Sequence, residues 1–254
     1  MNIRMLGTGC GVSAVKKKIS KDHRRSGGVI IDEKILIDAP GDIFSVAGDL
    51  GFSDMFDNVR DIFISHSHEG HFSSETLIKL CKSKQIRVFA SDAVLSLIPD
   101  DEKIEKVELI PYLSIMLGDY KITPLPSNHE TGEPNEICLN FIISRDKTLF
   151  YTLDSGFINP GAWKFISELK LDAVILDCAL ELSSASDKLL YHNNFDMVKI
   201  IRDIMLSSKV ASPITKFILS HIPSSKKRSI HAELSDAAKE IGATVAYDGY
   251  FFLV

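Results

Sequence analysis

Cysteine is scarce and scattered. The chain has four in 254 residues, Cys10, Cys81, Cys138 and Cys178, and no two form a CxxC pair. This excludes a cysteine-cluster zinc module and a thioredoxin-like redox motif. No apolar run approaches the roughly 18 residues of a membrane span, and Met1-Asn2-Ile3-Arg4-Met5-Leu6-Gly7 reads as a strand rather than an export signal. The expectation is a cytoplasmic protein with reduced thiols and no membrane association. A basic excess is also missing. The 29 Lys and Arg stand against 34 Asp and Glu, for a net charge of −5. That disfavours a general nucleic-acid binder, whose surface is normally basic, but leaves room for a small anionic substrate held by local charges. The one tryptophan, Trp163, reads as a packing residue rather than a base-stacking platform. Linkers, low-complexity tracts and repeats are absent, so residues 1–254 read as a single domain.

What is present is histidine, concentrated. Ile62-Phe63-Ile64-Ser65 is a buried-strand pattern that stops at His66-Ser67-His68-Glu69-Gly70-His71. Three of the eight histidines fall in this one stretch. Residues two apart on a strand share a face, so His66 and His68 project together. Gly70 permits a tight turn, and His71 returns just before a helix expected to begin near Ser73. Neutral imidazole is a common metal ligand, and three converging from one turn outline a metal site.

Polar residues recur just beyond other apolar strands: His129 after Ile122–Leu125, Asp154 after Leu149–Leu153, His221 after Phe217–Leu219. Each alone is an ordinary turn residue. Together they form a pattern, because catalytic ligands commonly sit on loops carried by a rigid scaffold. Gly7-Thr8-Gly9-Cys10-Gly11 reads as a turn cluster, since no Gly-Lys-Ser/Thr follows it. Residues 12–27, with Lys16-Lys17-Lys18 and His23-Arg24-Arg25, read as a solvated polar loop. Lys226-Lys227-Arg228 reads the same way, with attraction of a phosphate as the other reading. His23 and His231 read as surface residues. Hairpins fill the early chain, and strand–helix alternation fills the rest, with Ser229 capping a helix from Ile230 that Gly242 stops. The expected class is α/β (α+β), two mixed sheets covered by helices.

The ordered set of motifs resembles the metallo-β-lactamase superfamily of hydrolases over nearly the whole chain. The residues that carry the likeness are Leu6-Gly7-Thr8-Gly9, Ile35-Leu36-Ile37-Asp38, His66-Ser67-His68-Glu69-Gly70-His71, His129, Tyr151-Thr152-Leu153-Asp154-Ser155-Gly156, Leu219-Ser220-His221 and Ala246-Tyr247-Asp248-Gly249. The resemblance implies a four-layer αββα sandwich and two divalent metal ions, with zinc expected ahead of manganese. It implies that His66, His68 and His129 hold the first metal, that His71 and His221 hold the second, and that Asp154 bridges them. Asp38 would orient a ligand histidine, or be no more than a turn residue. The sequence departs from the family at Gly70, where an aspartate normally binds the second metal. Glu69 should point into solvent, so the second site is expected to be the weaker. Cys10 alone in the N-terminal region implies no additional cysteine-held zinc.

Such a metal pair can polarise a phosphoryl oxygen and supply a bound hydroxide. A proton donor for the leaving oxygen then helps. His192, in Leu190-Tyr191-His192-Asn193-Asn194-Phe195, is the candidate. Its placement is similar to that of a histidine in the RNase Z-like and phosphoribosyl cyclic phosphate phosphodiesterase branches. The implied function is hydrolysis of a small or cyclic phosphodiester. The compact acidic chain leaves no room for the RNA-binding arm of RNase Z enzymes, so precursor tRNA is not the expected substrate. Two alternatives stay open: hydrolysis of a carboxylic ester, thioester or lactone on the same metals, and a metal-binding protein that lost activity with the change to Gly70. Homo-oligomerisation is left open as well.

Overall fold

The computed structural model of the chain describes residues 1–12, 20–183, 187–224 and 230–254. Lys16, Lys17 and Lys18, the basic run Lys226-Lys227-Arg228 and the cap Ser229 lie outside the described residues. The chain divides into two compact units. One comprises Met1–Ile110, Thr131–Ile137 and Tyr247–Leu253, and the other Pro111–Glu130, Cys138–Ala246 and Val254.

The first unit is built on a seven-stranded sheet of β1 (Asn2–Gly7), β2 (Gly28–Ile31), β3 (Ile35–Ile37), β4 (Asp61–Phe63), β5 (Ile86–Ala90), β6 (Ile104–Glu108) and β14 (Phe251–Leu253). Its order is β14-β1-β2-β3-β4-β5-β6. The β2–β3 hairpin pairs Ile31 with Ile35. Asp32 and Glu33 both take positive φ in its turn, 48° and 56°, which suits the right-handed twist of the paired strands. Pairing is antiparallel up to β3 and parallel from β3 to β6. Helices α1 (Ile43–Asp49), α2 (Ser74–Cys81) and α3 (Asp92–Ser96) belong to this unit. The Ser73 hydroxyl accepts the Thr76 N–H and starts α2, a side-chain cap for one of the orphan amides of the first turn. Leu77 and Leu80 of α2 are buried with Leu36, Ile62 and Val88 of the sheet in one apolar cluster. Full burial of such a side chain contributes about 1.5–3 kcal/mol.

The second unit repeats the plan. Its sheet contains β7 (Ile115–Leu117), β8 (Tyr120–Pro126), β9 (Leu139–Ser144), β10 (Thr148–Thr152), β11 (Ala173–Asp177), β12 (Lys216–Ser220) and β13 (Ala243–Val245). The order is β13-β12-β11-β10-β9-β8-β7, antiparallel from β7 to β10 and parallel from β10 to β13. Every residue of β11 is buried, the near-continuous apolar reading of a parallel strand. Helices α4 (Pro160–Ile166), α5 (Phe195–Ser207) and α6 (Ile230–Glu240) are in this unit. Asn159 and Asn194 cap α4 and α5 by accepting the N–H groups of Ala162 and Met197, both at 2.9 Å. Ile166, Val198, Ile201 and Leu234 share an apolar cluster with Val174, Leu176 and Leu219. Trp163 packs on that cluster's edge, as its sequence context suggests.

Two mixed sheets with helices therefore match the expected class. Among the described residues no helix is long and apolar enough to cross a membrane. One reading is corrected. Arg24 is not solvated: it is 2% exposed, and its guanidinium donates to the Thr8 hydroxyl at 2.7 Å. Thr8 in turn donates its N–H and hydroxyl to Asp248 at 2.9 and 2.8 Å. Asp248 also accepts the Arg25 N–H at 2.7 Å. The loop at Arg24 is thus drawn inward by a buried carboxylate near the other end of the sequence.

Candidate active site

In each unit the polar residues collect where parallel strands end, the position at which open α/β sheets usually bind ligands. In the first unit the element that changes the pairing from antiparallel to parallel is β3, and Asp38 directly follows it. Asp38 is fully buried and takes a φ of 64°. Asp tolerates this left-handed conformation better than most residues. The turn aims both carboxylate oxygens at the histidine stretch. One accepts the Ser65 N–H at 2.8 Å, and the other accepts Nδ1–H of His71 at 2.7 Å. The Ala39 N–H donates to the His71 carbonyl at 2.7 Å, so the same turn holds the ring and its backbone. With Nδ1 protonated toward Asp38, His71 keeps Nε2 as its lone-pair nitrogen, the arrangement that orients metal-binding histidines.

His66 Nε2 lies 3.1 Å from His68 Nδ1, and the His66 and His71 rings are 4.4 Å apart between centroids. His66 and His71 are buried, while His68 and Glu69 are exposed. The His68 carbonyl accepts the N–H of His71 at 2.8 Å, closing the turn that contains Gly70. The structure therefore brings the three histidines together and leaves Glu69 in solvent. The Gly70 position is tight: a Cβ there would lie 3.2 Å from Gly11 Cα. Backbone, rather than an open ligand position, faces that side of the turn.

In the second unit the pairing changes at β10, and Asp154 follows it. Asp154 and His221 both have positive φ, 46° and 59°. Non-glycine residues held there cluster at functional sites. Asp154 Oδ1 lies 3.0 Å from His221 Nε2 and 3.6 Å from His129 Nε2. His129 donates Nδ1–H to the Tyr191 carbonyl at 3.2 Å, which leaves Nε2 turned to Asp154 as the lone-pair nitrogen. One carboxylate oxygen thus faces the Nε2 atoms of two histidines.

His192 joins this group. Its ring centroid is 4.9 Å from that of His129 and 5.4 Å from that of His221. The signal missed in the sequence is Asp177, the last residue of β11. It is fully buried and accepts Nδ1–H of His192 at 2.8 Å. Its other oxygen accepts the N–H groups of Ala179 and Asn193 at 2.9 and 3.2 Å. Asn193 donates its side-chain amide to the Ser155 carbonyl at 2.8 Å, tying the His192 loop to the Asp154 turn. Gly156 makes that closeness workable, since a Cβ there would fall 2.5 Å from the Leu190 carbonyl oxygen.

Asp154, Asp177, His192 and His221 offer ligand atoms all within 4.8 Å of one another. Imidazole nitrogens and carboxylate oxygens at this spacing are the donor set of a divalent zinc-type ion. Of this group Asp154 and His221 fit such an ion as ligands, while Asp177 is engaged by His192 and the Ala179 and Asn193 N–H groups.

No protein-family model matches the sequence, and no curated protein does either. Solved structures do. The metallo-beta-lactamase fold protein YhfI from Bacillus subtilis superposes with a TM-score of 0.75 at 17% identity, over 99% of this chain and 98% of that one. A diphosphatase from the PhnP family gives 0.69 at 19% identity, over 100% and 97% of the two chains. Zn(2+)-bound PqqB from Methylobacterium extorquens gives 0.70 at 13% identity, over 100% of both. The chain has the metallo-β-lactamase fold.

Proposed function

We propose that residues 1–254 form a metal-dependent hydrolase of a small or cyclic phosphodiester. The proposed ligands are His66, His68, His71, His129, Asp154 and His221, and the proposed metal is zinc, two ions per chain, with the Gly70 turn at the weaker site. The fold neighbours that include a diphosphatase and a zinc-bound protein support this class. The observation that carries the choice of a phosphodiester is the Asp177–His192 pair. A histidine held by a buried carboxylate beside Asp154 and His221 supplies what an alkoxide leaving group needs, a positioned proton.

A bound divalent ion supplies Lewis acidity and water that ionises near neutral pH. The chain's own groups do the rest. Asp38 and the Tyr191 carbonyl fix the tautomers of His71 and His129. His192 gives its Nε2 proton to the departing oxygen. His192 keeps its Nδ1–H, which Asp177 accepts, and the carboxylate stabilises the ring while it is charged, the role that a buried carboxylate plays for a catalytic imidazole.

The test is turnover of bis(p-nitrophenyl) phosphate by zinc-loaded protein, set beside a lactone and a thioester panel. Phosphodiester turnover that a chelator abolishes and His68→Ala eliminates is expected. Turnover of lactones or thioesters alone would move the assignment to acyl substrates. Protein that takes up no metal on reconstitution would end the metal assignment.

A further inference from the structure

The turn at residues 131–136 is hooked onto the histidine turn by one side chain. Glu136 accepts the Ser67 backbone N–H at 2.7 Å through Oε1 and the Ser67 hydroxyl at 2.6 Å through Oε2. Oε2 also accepts the Thr131 hydroxyl. The Thr131 hydroxyl oxygen takes the Glu133 N–H at 3.2 Å, and the Glu136 N–H reaches the Glu133 carbonyl at 3.3 Å. The turn is thus closed on itself and presents one carboxylate outward. Three donors converge on that carboxylate, and two belong to Ser67, the residue between His66 and His68.

We infer that Glu136 is a positioning residue for the metal-binding histidines: by gripping Ser67 at both its backbone and its side chain, it sets the peptide planes from which His66 and His68 project. This inference rests on the proposed metal-dependent reading. The physical reason is geometric. His66 Nε2 and His68 Nδ1 lie 3.1 Å apart, and a small rotation of the intervening peptide would separate them. His68 is exposed, whereas His66 is buried, so the direction of His68 depends more on the backbone that carries it. A charge-assisted bidentate hold is about twice as strong as neutral hydrogen bonds, and hydrogen-bonded partners behind ligands tune metal affinity. The two turns also line one cleft, with Ser67 and Glu69 from one and Glu133 from the other. Movement of the 131–136 turn therefore alters that wall too.

The experiment uses the full chain with cobalt as the metal probe. Affinity is measured by chelator competition, ligand geometry by the visible spectrum of the bound cobalt, and apoprotein stability by urea unfolding. Glu136→Ala should weaken cobalt binding by about 10–100-fold and change the spectrum. Ser67→Ala should weaken it less, because the backbone N–H contact survives. The double variant should bind about as Glu136→Ala alone does, since the two act through one contact. Glu136→Gln, which can still accept the Ser67 N–H and donate to a hydroxyl oxygen, should recover much of the loss. A merely structural Glu136 would lower apoprotein stability without altering the spectrum of the bound metal, and that result overturns the inference. Unchanged affinity in Glu136→Ala, with wild-type protein binding cobalt normally, overturns it as well and leaves the hydrolase reading standing. Wild-type protein that binds no cobalt removes both. Should Glu136→Ala fail to fold, Ser67→Ala decides: a shifted spectrum supports the grip, and an unshifted one overturns it.

Discussion

Asp38 and His71 are joined by a 2.7 Å hydrogen bond between two fully buried side chains. The second Asp38 oxygen is taken by the Ser65 N–H, so this carboxylate is acceptor to two donors at once. Asparagine could accept from only one and would turn its own amide hydrogens on the other. Asp38→Asn should therefore behave almost as badly as Asp38→Ala. Both should lower zinc affinity by about 10–100-fold, measured by competition with a chromophoric chelator. Wild-type affinity in Asp38→Ala would reduce Asp38 to the plain turn residue that was the other reading of its position.

The pair Asp177 and His192 makes a prediction about leaving groups. His192→Ala should cut kcat by about 10²–10⁴-fold on phosphodiesters whose leaving alcohol needs a proton. It should cost much less on p-nitrophenyl esters, whose product leaves as the anion. Asp177→Asn should show the same dependence on leaving group with a loss of similar size, because both Asp177 oxygens accept donors and an amide would turn its own hydrogens on one side, leaving the protonated ring without its acceptor. A series of aryl and alkyl phosphodiesters plotted against leaving-group pKa checks both. Parallel losses across the series would remove His192 from the acid role.

That second residue also shows which features were legible in the sequence. Strands such as Ile35–Ile37 and Phe217–Leu219 are visible because parallel strands buried on both faces read as apolar runs. The histidine turn is visible because three imidazoles fall in one short stretch. Asp177 is not, since a carboxylate at a strand end looks like any turn residue until its partner, fifteen positions away, is folded against it. Arg24 looks solvated in the sequence for the same reason: the Thr8–Asp248 contact that draws it in spans 240 positions. Glu136 is separated from Ser67 by 69. Strand β13 escaped for a different reason, because Ala243-Thr244-Val245 is three residues long with one exposed threonine. Local patterns report which residues face a core. They do not report which distant polar groups will meet there.

Asp248 should make stability depend on pH. Burial pushes its carboxyl up to about 6, against the opposing pull of the Thr8 hydroxyl, the N–H groups of Arg25 and Thr8, and the Arg24 charge. The folded state therefore binds a proton more tightly than the unfolded chain, whose aspartates titrate near ~3.9. The contribution is fully present below that value and is lost as pH rises through about 6. The loss amounts to about 3 kcal/mol at most. Urea midpoints recorded between acid and neutral pH for wild type and for Asp248→Asn test it. The difference between the two curves should fall across that window and level off above it. A constant difference would show that the carboxyl keeps its ordinary pKa in the fold.

Gly70 offers the sharpest test of the position at which the resemblance implies an aspartate. If the position were simply vacant, Gly70→Asp would restore an oxygen ligand beside His71 and tighten the weaker metal site. The turn argues otherwise. Gly70 does not have positive φ, so its backbone alone would accept a side chain. The obstacle is Gly11, whose Cα and carbonyl carbon would stand 3.2 and 3.3 Å from the new Cβ. Gly11 has a φ of 73° and carries no side chain that could rotate away, so relief would require its backbone to move. Overpacking of this kind costs about 1–3 kcal/mol. Gly70→Asp should accordingly lower the urea midpoint of the apoprotein, and metal affinity should gain little. Glu69→Ala should leave both unchanged, because Glu69 is exposed. The two variants separate the possible origins of a second site. Tighter metal binding in Gly70→Asp with no loss of apoprotein stability would mean that Gly11 yields readily and the aspartate position is still usable. Loss of metal in Glu69→Ala would mean that the neighbouring carboxylate swings in when the ion binds. If neither occurs, a second metal of the proposed kind would be held by His71, Asp154 and His221 alone, with Gly11 closing the turn on the side where a carboxylate would stand.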